Sequence, residues 1–457
     1  MSESLRPKHC SIVRTDFDKK ANSRLAVCDQ TYNLKRAGLM TVVTQILNQM
    51  PGITKPQRKF LPLLFATMLA ARGRLNFSNL ARYSPYSERT HRRQFQQSFD
   101  FPSFNQRAIA RITEASATLL VAQDATFIRK SGQHTYGLDQ FWNGCTHRTE
   151  KGLEVSAIAI LDVARHTAYP LSAQQTPARH PAAPKSLPAT ATTTTSGKHS
   201  PATETRIDFY LQHLAQTVAL LPPQVHYGVF DGAFAKHKFV AGVRSLDLHV
   251  ISLLRVDANL RYLYTGDQKK RGRRKAYDGK VSFTDLSRLE LVGEEVAPHI
   301  RLYSAVVNSV SLKCNVRICV VVNRRRPAKE RYVVLFSTDC ALTAQTIYDY
   351  YTQRFQIEFL FRDAKQFAGL SDCQARDKQA LHFHFNLALA SVGITKIEEL
   401  KEQDTPQPQV YSLASWKQRA FNEHLLDVFI SRLALEPTVI KNHPQYDYLR
   451  TYGAIAA

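Results

Sequence analysis

The sequence predicts an α/β protein: a mixed-sheet core with helices on its faces, carrying a β-rich insertion and flanked by helical N- and C-terminal regions. Three observations carry that expectation. Apolar residues recur with helical period through residue 110 and again from about residue 339. Between these regions, short apolar runs alternate with helical segments. Charge divides along the same boundaries: the 457 residues carry a net +23, with +12 in residues 1–110, +3 in 111–260, +9 in 261–330 and −1 in 331–457. Two basic segments that bracket a near-neutral core point to a polyanion, nucleic acid first.

Composition narrows the class. At 44% hydrophobic and 22% charged the chain is an ordinary globular sequence. Its longest apolar stretch, residues 60–71, contains Pro62 and is too short to span a bilayer, so no membrane partner is expected. No basic-then-apolar leader opens the sequence, and the seven cysteines include no C-x-x-C pair. Both features predict a cytoplasmic protein without a disulfide framework or a cysteine zinc site.

In the first region, helices are expected over residues 39–50 and 59–72 and over 77–83. After the breaker Ser84-Pro85-Tyr86, Ser87 caps a further helix. On that helix Arg89, Arg92, Arg93 and Gln96 share one face and His91, Phe95 and Phe99 another. Two short helices around a turn, the second one basic, read as a helix-turn-helix over 77–99 that contacts duplex DNA, or as a solvated cationic face of a bundle. Strands follow at 117–123, 155–161 and 167–171, then a Pro/Ala/Thr/Ser-rich surface loop at 174–205. A helix over 204–220 leads to strand 225–230, and a further helix to strand 248–254. Residues 258–338 alternate in strand fashion at 301–307, 316–322 and 332–336, with basic loops between. Lys269, Lys270, Arg271, Arg273, Arg274 and Lys275 form one such loop, and Arg324-Arg325-Arg326 another; each reads as phosphate contact or as a solvated loop. Helical pattern returns at 342–368. At 412–435 it places Leu413, Trp416, Ala420, His424 and Val428 on one side, a core stripe or a dimer surface.

The candidate chemistry lies in three acids. Asp124 and Asp231 each end an apolar strand run, at the edge where open α/β sheets bind ligands, although an Asp there also simply forms turns. In the 342–368 helix, Tyr351, Arg354, Glu358 and Lys365 fall on one stripe with Arg362, while Phe355, Ile357, Phe359, Leu360 and Phe361 suggest that much of the circumference is buried. One acid among cations on such a helix reads as a metal-binding Glu with phosphate contacts, or as an internal ladder Arg354–Glu358–Arg362. His382 and His384, two apart on a helix, diverge and read as packing residues.

The spacing Y-x2-R-x3-E-x6-K, preceded by Gln123-Asp124-Ala125-Thr126 and Phe230-Asp231-Gly232-Ala233-Phe234, resembles the DDE transposases of bacterial insertion sequences, in particular the IS-four branch with its Y-R-E-K signature. The resemblance implies an RNase H-like core in two parts, 111–257 and 339–370, interrupted by the insertion 258–338, with a DNA-binding region 1–110 and a helical region 371–457 that serves dimerisation. It implies that Asp124, Asp231 and Glu358 hold two Mg²⁺ ions, with Mn²⁺ as a substitute, and that Tyr351, Arg354, Arg362 and Lys365 hold phosphates near the cut. The relatives carry a Trp that stacks on a flipped base; here Tyr332 stands in the comparable place. The implied activity is cut-and-paste transposition through a hairpin, by a homodimer on double-stranded terminal repeats and target DNA, in the bacterial cytoplasm at the nucleoid. Two further readings stay open: a catalytically silent DNA-binding derivative, and an RNase H-like endonuclease that cuts without joining.

Overall fold

The computed structural model describes residues 37–178, 205–283, 285–292, 299–324, 331–402 and 411–455. The chain forms two compact units, one of Met1–Gln97 with Gln409–Ala457 and the other of Ser98–Pro408, each considered over its described residues. The first unit begins with α1 (Ala37–Gln49), α2 (Lys55–Ala70), α3 (Phe77–Arg82) and α4 (Glu88–Phe95). The starts of α2, α3 and α4 each follow from a cap. Thr54 and Gln57 form a reciprocal capping box ahead of α2, which therefore begins before the expected residue 59. Asn76 caps α3 and Ser87 caps α4 through the amides of Asn79 and Thr90. Phe77 meets Phe95 edge-on at 5.0 Å, His91 is fully buried, and the Ser78 hydroxyl donates to Glu88 at 2.5 Å. The helix pair expected from Ser87 and its flanking breaker is thus present. Phe99 belongs to the second unit instead, edge-on to Phe101 at 4.7 Å.

The second unit opens with α5 (Phe101–Ala110) and then β1 (Leu119–Arg129), β2 (Asp139–Asn143), β3 (Arg148–Asp162), β4 (Thr167–Gln175), α6 (Arg206–Thr217), β5 (Tyr227–Phe230), α7 (His237–Arg244) and β6 (His249–Leu254). It continues with β7 (Leu260–Leu263), β8 (Tyr277–Lys280), β9 (Glu290–Leu291), β10 (Ile300–Ser309), β11 (Cys314–Asn323), β12 (Arg331–Ser337), α8 (Ala344–Thr352), α9 (Phe355–Gln366) and α10 (Lys378–Glu402). All these strands join one mixed sheet, ordered β2-β3-β1-β5-β6-β12-β11-β10-β7-β8, with β4 on β3 and β9 on β10. Its heart, β4-β3-β1-β5-β6, has β1 antiparallel to β3, β3 antiparallel to β4, and β1, β5 and β6 mutually parallel. This is an RNase H-like α/β core. The 258–338 segment does not stand beside that core as a separate sheet. It leaves at β6 and returns through β12, which pairs with β6, so the insertion extends the same sheet.

Strand β4 borders the sheet, and its free backbone groups are met by side chains. The Asn386 amide on α10 both accepts from the Ala173 N–H (3.1 Å) and donates to its carbonyl (2.9 Å), as a neighbouring strand would. Asn105 on α5 donates to Leu171, and the buried Lys396 donates to Ala168. This satisfies a row of peptide groups that would otherwise be an open edge. Close approach at this seam requires Gly393, since a Cβ there would lie 2.9 Å from the Pro170 ring.

The helical stretch expected at 342–368 is divided: α8 ends at Thr352 and α9 starts at Phe355. The chain closes with α11 (Leu413–Arg432), α12 (Pro437–Lys441) and α13 (Tyr446–Thr451), which belong with α1–α4. The stripe expected on α11 is not one buried face: Leu413 is buried, whereas Val428 is 41% exposed. Most of the 174–205 loop, together with Arg325 and Arg326, lies outside the described residues, while residues 174 and 175 belong to β4. Among the described residues no helix is long and apolar enough to cross a membrane.

Replacement of Gly393 by Ala improves helix propensity yet forces α10 off the rigid Pro170 ring. A net loss of about 1–2 kcal/mol is expected, within the range of core overpacking. Thermal unfolding should show it as a drop of roughly 2–6 °C.

Candidate active site

The site starts from the way two parallel strands part. β1 and β5 pair at Val121–Gly228, Ala122–Val229 and Gln123–Phe230, and the next residue on each is an aspartate. Residues in register on neighbouring strands point to the same face, about 4.8 Å apart. Asp231 does follow the end of its strand: it begins a 3₁₀ turn and its carboxylate accepts from the Ala233 N–H at 3.2 Å. Asp124 does not. β1 continues to Arg129 against β3, with Asp124 opposite Ala157, so only the pairing with β5 ends at Gln123. The Gln123 side chain is buried and donates to Ser156 (3.2 Å) and to the Tyr210 carbonyl (2.9 Å), which fixes the strand just before the acid.

The third acid arrives on α9. Between α8 and α9 the ladder tightens: Gln353 N–H bonds Tyr350 O (3.2 Å), Arg354 N–H bonds Tyr351 O (3.1 Å) and Ile357 N–H bonds Arg354 O (3.2 Å). The Gln353 amide is held by His166 in the β3–β4 turn at 3.0 Å. This break changes the phase of the stripe read from the sequence and swings Arg354 into the space beside the acids. Its guanidinium lies 2.8 Å from Glu358 and 3.7 Å from Asp124, and its Nε is buried without a hydrogen-bond partner among the described residues. Burial raises the Asp124 carboxyl to about 6; the Ala125 N–H and Arg354 oppose the rise, while Asp231 and Glu358 add to it. Burial likewise raises the Tyr351 hydroxyl, with Arg354 acting against the rise and Asp231 and Glu358 with it. Asp124, Asp231, Glu358, Tyr351 and Arg354 therefore share one electrostatic neighbourhood, although residues 124, 231 and 358 lie more than a hundred positions apart.

Other candidates stand elsewhere. Arg362 pairs with Asp363 at 3.0 Å and not with Glu358, so the expected ladder stops after its first rung. Lys365 is half-buried, its pKa lowered by burial, with Cys145 of the β2–β3 turn as its charge neighbour. Tyr332 packs against Phe283 at 5.6 Å. It precedes Val334, the partner of the last residue of β6, so it lies toward the sheet edge that carries Asp231. The basic run from Lys269 to Lys275 forms an exposed β7–β8 turn. Five strand steps separate β7 from β5, about 24 Å along the sheet at strand spacing. In the other unit Arg89, Arg92 and Arg93 are exposed on α4; Arg92 is already tied to Glu88 at 2.6 Å and covers the Phe77 ring at 4.8 Å.

Two features escaped the sequence. One is the His166–Gln353 clasp, for which no local pattern exists. The other is that Phe355 and Phe359 are not buried but 49% and 43% exposed. The signal was present: at helical spacing these rings share a stripe with Glu358 and Arg362, both of which need water or a ligand.

Three acids of this kind offer the hard oxygen donors that a divalent ion of the Mg²⁺ class prefers. Among the described residues no group of three acid, His or Cys side chains forms a ready metal cage, and Arg354 pairs with both Asp124 and Glu358. The donor set suits a metal in chemistry, and the guanidinium is the cation that occupies it here.

An RNase H-like sheet with acids at the parting of its central strands is a framework for cutting nucleic acid. The family model described as DDE superfamily endonuclease matches residues 48–302, more than half of the chain, and the chain belongs to that family. Membership brings a transposase- or nuclease-like function on DNA with divalent metal ions. Asp124 and Asp231 fall within the match and Glu358 lies beyond it. No curated protein matches the chain.

The raised Asp124 carboxyl has a definite sign. Between about pH 4 and 6 the folded protein holds a proton that the unfolded chain releases, so rising pH removes up to about 3 kcal/mol of stability through this group. In metal-free protein, Asp124→Asn should melt progressively higher than the unsubstituted chain as pH is raised across that window. The gap should level off above it, and a gap independent of pH would contradict the assignment.

Proposed function

We propose that the chain is the transposase of a bacterial insertion sequence of the IS-four type. It cuts DNA at the element's terminal repeats by metal-dependent phosphoryl transfer and joins the ends to target DNA. The observation that carries this reading is the gathering of Asp124, Asp231 and Glu358 around Arg354, with Tyr351 one turn before it, in the order and spacing of the Y-R-E-K signature. Asp124, Asp231 and Glu358 would hold two Mg²⁺ ions, or Mn²⁺ in their place. When bound, such ions polarise the phosphoryl group and balance charge on the attacking and leaving oxygens. The chain's own groups do the rest. Gln123 and the Asp231 turn hold the first two carboxylates on rigid strands. Arg354, released from Glu358, presents a fork suited to a phosphate. Tyr351 keeps its proton and donates a hydrogen bond beside it. Arg362 and Lys365 lie further along the same helix, where the backbone of a bound strand would continue.

DNA capture falls to the basic surfaces. Arg89 and Arg93 on α4 engage the terminal repeat, with Arg92 contributing less because Glu88 already neutralises it. The Lys269–Lys275 turn clamps the duplex away from the cut. Tyr332 with Phe283 gives an aromatic pair for a displaced base. A homodimer that cuts in trans and hairpins the ends fits this scheme, as does residence at the bacterial nucleoid.

The direct test incubates the protein and Mg²⁺ with labelled DNA carrying the terminal repeats of the element. Hairpin and joined products are expected; nicks alone would favour a nuclease without joining, and no cleavage a silent DNA-binding protein. Asp231→Ala and Glu358→Ala should each lower cleavage on the order of 10³-fold or more, the scale on which loss of a catalytic group is felt. In footprinting on the same DNA, Arg89→Ala with Arg93→Ala should weaken end binding and reduce its salt slope by about two, whereas Arg92→Ala should change both less.

A further inference from the structure

Two cysteines meet at the seam between β11 and β12. These strands pair antiparallel from Asn323–Arg331 to Arg317–Ser337. Three residues further along the same register, Cys314 at the start of β11 stands against Cys340, just past the end of β12. The ladder has stopped there, yet residue 340 is still held to β11, because the Arg317 side chain donates to the Cys340 carbonyl at 2.8 Å. Opposed residues on antiparallel strands have Cα atoms about 4.5–5.5 Å apart, within the span that a disulfide bridges. Both thiols are free and half-buried, whereas Cys319 and Cys373 are buried and Cys145 is exposed. We propose that Cys314 and Cys340 are a redox-active dithiol, which a hydroperoxide or a small-molecule disulfide closes to a cross-strand disulfide.

The surroundings agree with the register. Burial raises both thiols; Arg244 at the end of α7 opposes the rise in each, Arg317 opposes it at Cys340, and Asp339 adds to it there. Cys340 adds to the rise at Cys314, so the two sulfurs share one electrostatic neighbourhood. Thiols held protonated in this way rest reduced and react through a minor thiolate population. With a hydroperoxide, one thiolate attacks the O–O bond, keeps one oxygen as a sulfenic acid and releases the other as water or an alcohol. The second thiol then attacks that sulfur and expels water, so two electrons have passed from the cysteines to the peroxide. With a small-molecule disulfide, the first thiolate displaces one thiol of the reagent and the second displaces the other. The bond would fasten two parts of the second unit. Residue 340 opens the segment that leads into α8, and α8 leads to the break from which Arg354 projects. Cys314 follows the β10–β11 turn, where the Leu312 carbonyl accepts from His237 of α7 at 2.9 Å. A closed pair therefore ties the outer wing to the approach of the helix that carries Glu358. It uses none of the three acids and rests on no part of the proposed DNA chemistry.

The test exposes the folded full chain to hydrogen peroxide, and separately to oxidised glutathione, until the exposed Cys145 is modified. Remaining thiols are blocked with N-ethylmaleimide under denaturing conditions, and the unreduced digest is read by mass spectrometry. A peptide pair linked through Cys314 and Cys340 is expected from both reagents, and dithiothreitol should release it. In the Cys340→Ser chain the link should vanish and Cys314 should carry glutathione instead. The oxidised unsubstituted chain should melt higher by on the order of 5 °C, as closure of a loop of this length predicts, while Cys340→Ser should not gain. Cys314 and Cys340 both recovered as maleimide adducts would overturn the proposal. So would their oxidation separately or in bonds between two chains. A link that left the melting temperature unchanged would overturn the fastening.

Discussion

Carboxylates drawn to one point repel one another, and burial of one of them sharpens the conflict. Asp124, Asp231 and Glu358 are in that position, and the guanidinium of Arg354 makes the arrangement tolerable, bonded to Glu358 and facing Asp124. Much of the second unit serves to bring this one cation to these acids. The β1–β5 pairing sets the two aspartates level, the Gln123 bonds hold β1 in place, and the His166 clasp fixes the break from which Arg354 projects. The cluster is poised rather than satisfied: Asp124 remains far from its ordinary acidity even with the arginine beside it. A fold that keeps its acids under such tension is less stable than one with apolar groups there.

The charge map takes on a spatial meaning in this frame. The +9 segment is no separate clamp domain but the far wing of the catalytic sheet, with its basic turn several strands from the acids. One continuous sheet therefore carries both the three-acid cluster and a distant basic turn. The α4 arginines belong to the other compact unit, apart from the unit that carries the acids.

What could be read from sequence followed from local rules. Ser87 and its flanking breaker placed α4 because capping is a property of a few adjacent residues. The runs ending at Asp124 and Asp231 marked where β1 and β5 part, although the strand containing Asp124 went on, because β3 continues to pair where β5 stops. The α8–α9 break could not be read: no local pattern announces it, and the Gln353 within it is held by His166, 187 positions away. The outward turn of Phe355 and Phe359 is not legible by residue type, because Ile357, Leu360, Phe361 and Ala364 already fill the buried side of the same helix. The single sheet was hidden for a related reason: β6–β12 pairing closes a loop of about eighty residues, and no neighbouring pattern announces such a contact.

That β6–β12 seam has a consequence of its own. The segment between them departs and returns on adjacent strands, so its two ends are fastened together as the base of a hairpin would be. Whatever is strung between those ends can grow, shrink or change its surface without altering the span from Asp231 to the helix of Glu358. The seam works as a socket: the acid cluster keeps its geometry while the outer wing is free to change its length and its surface.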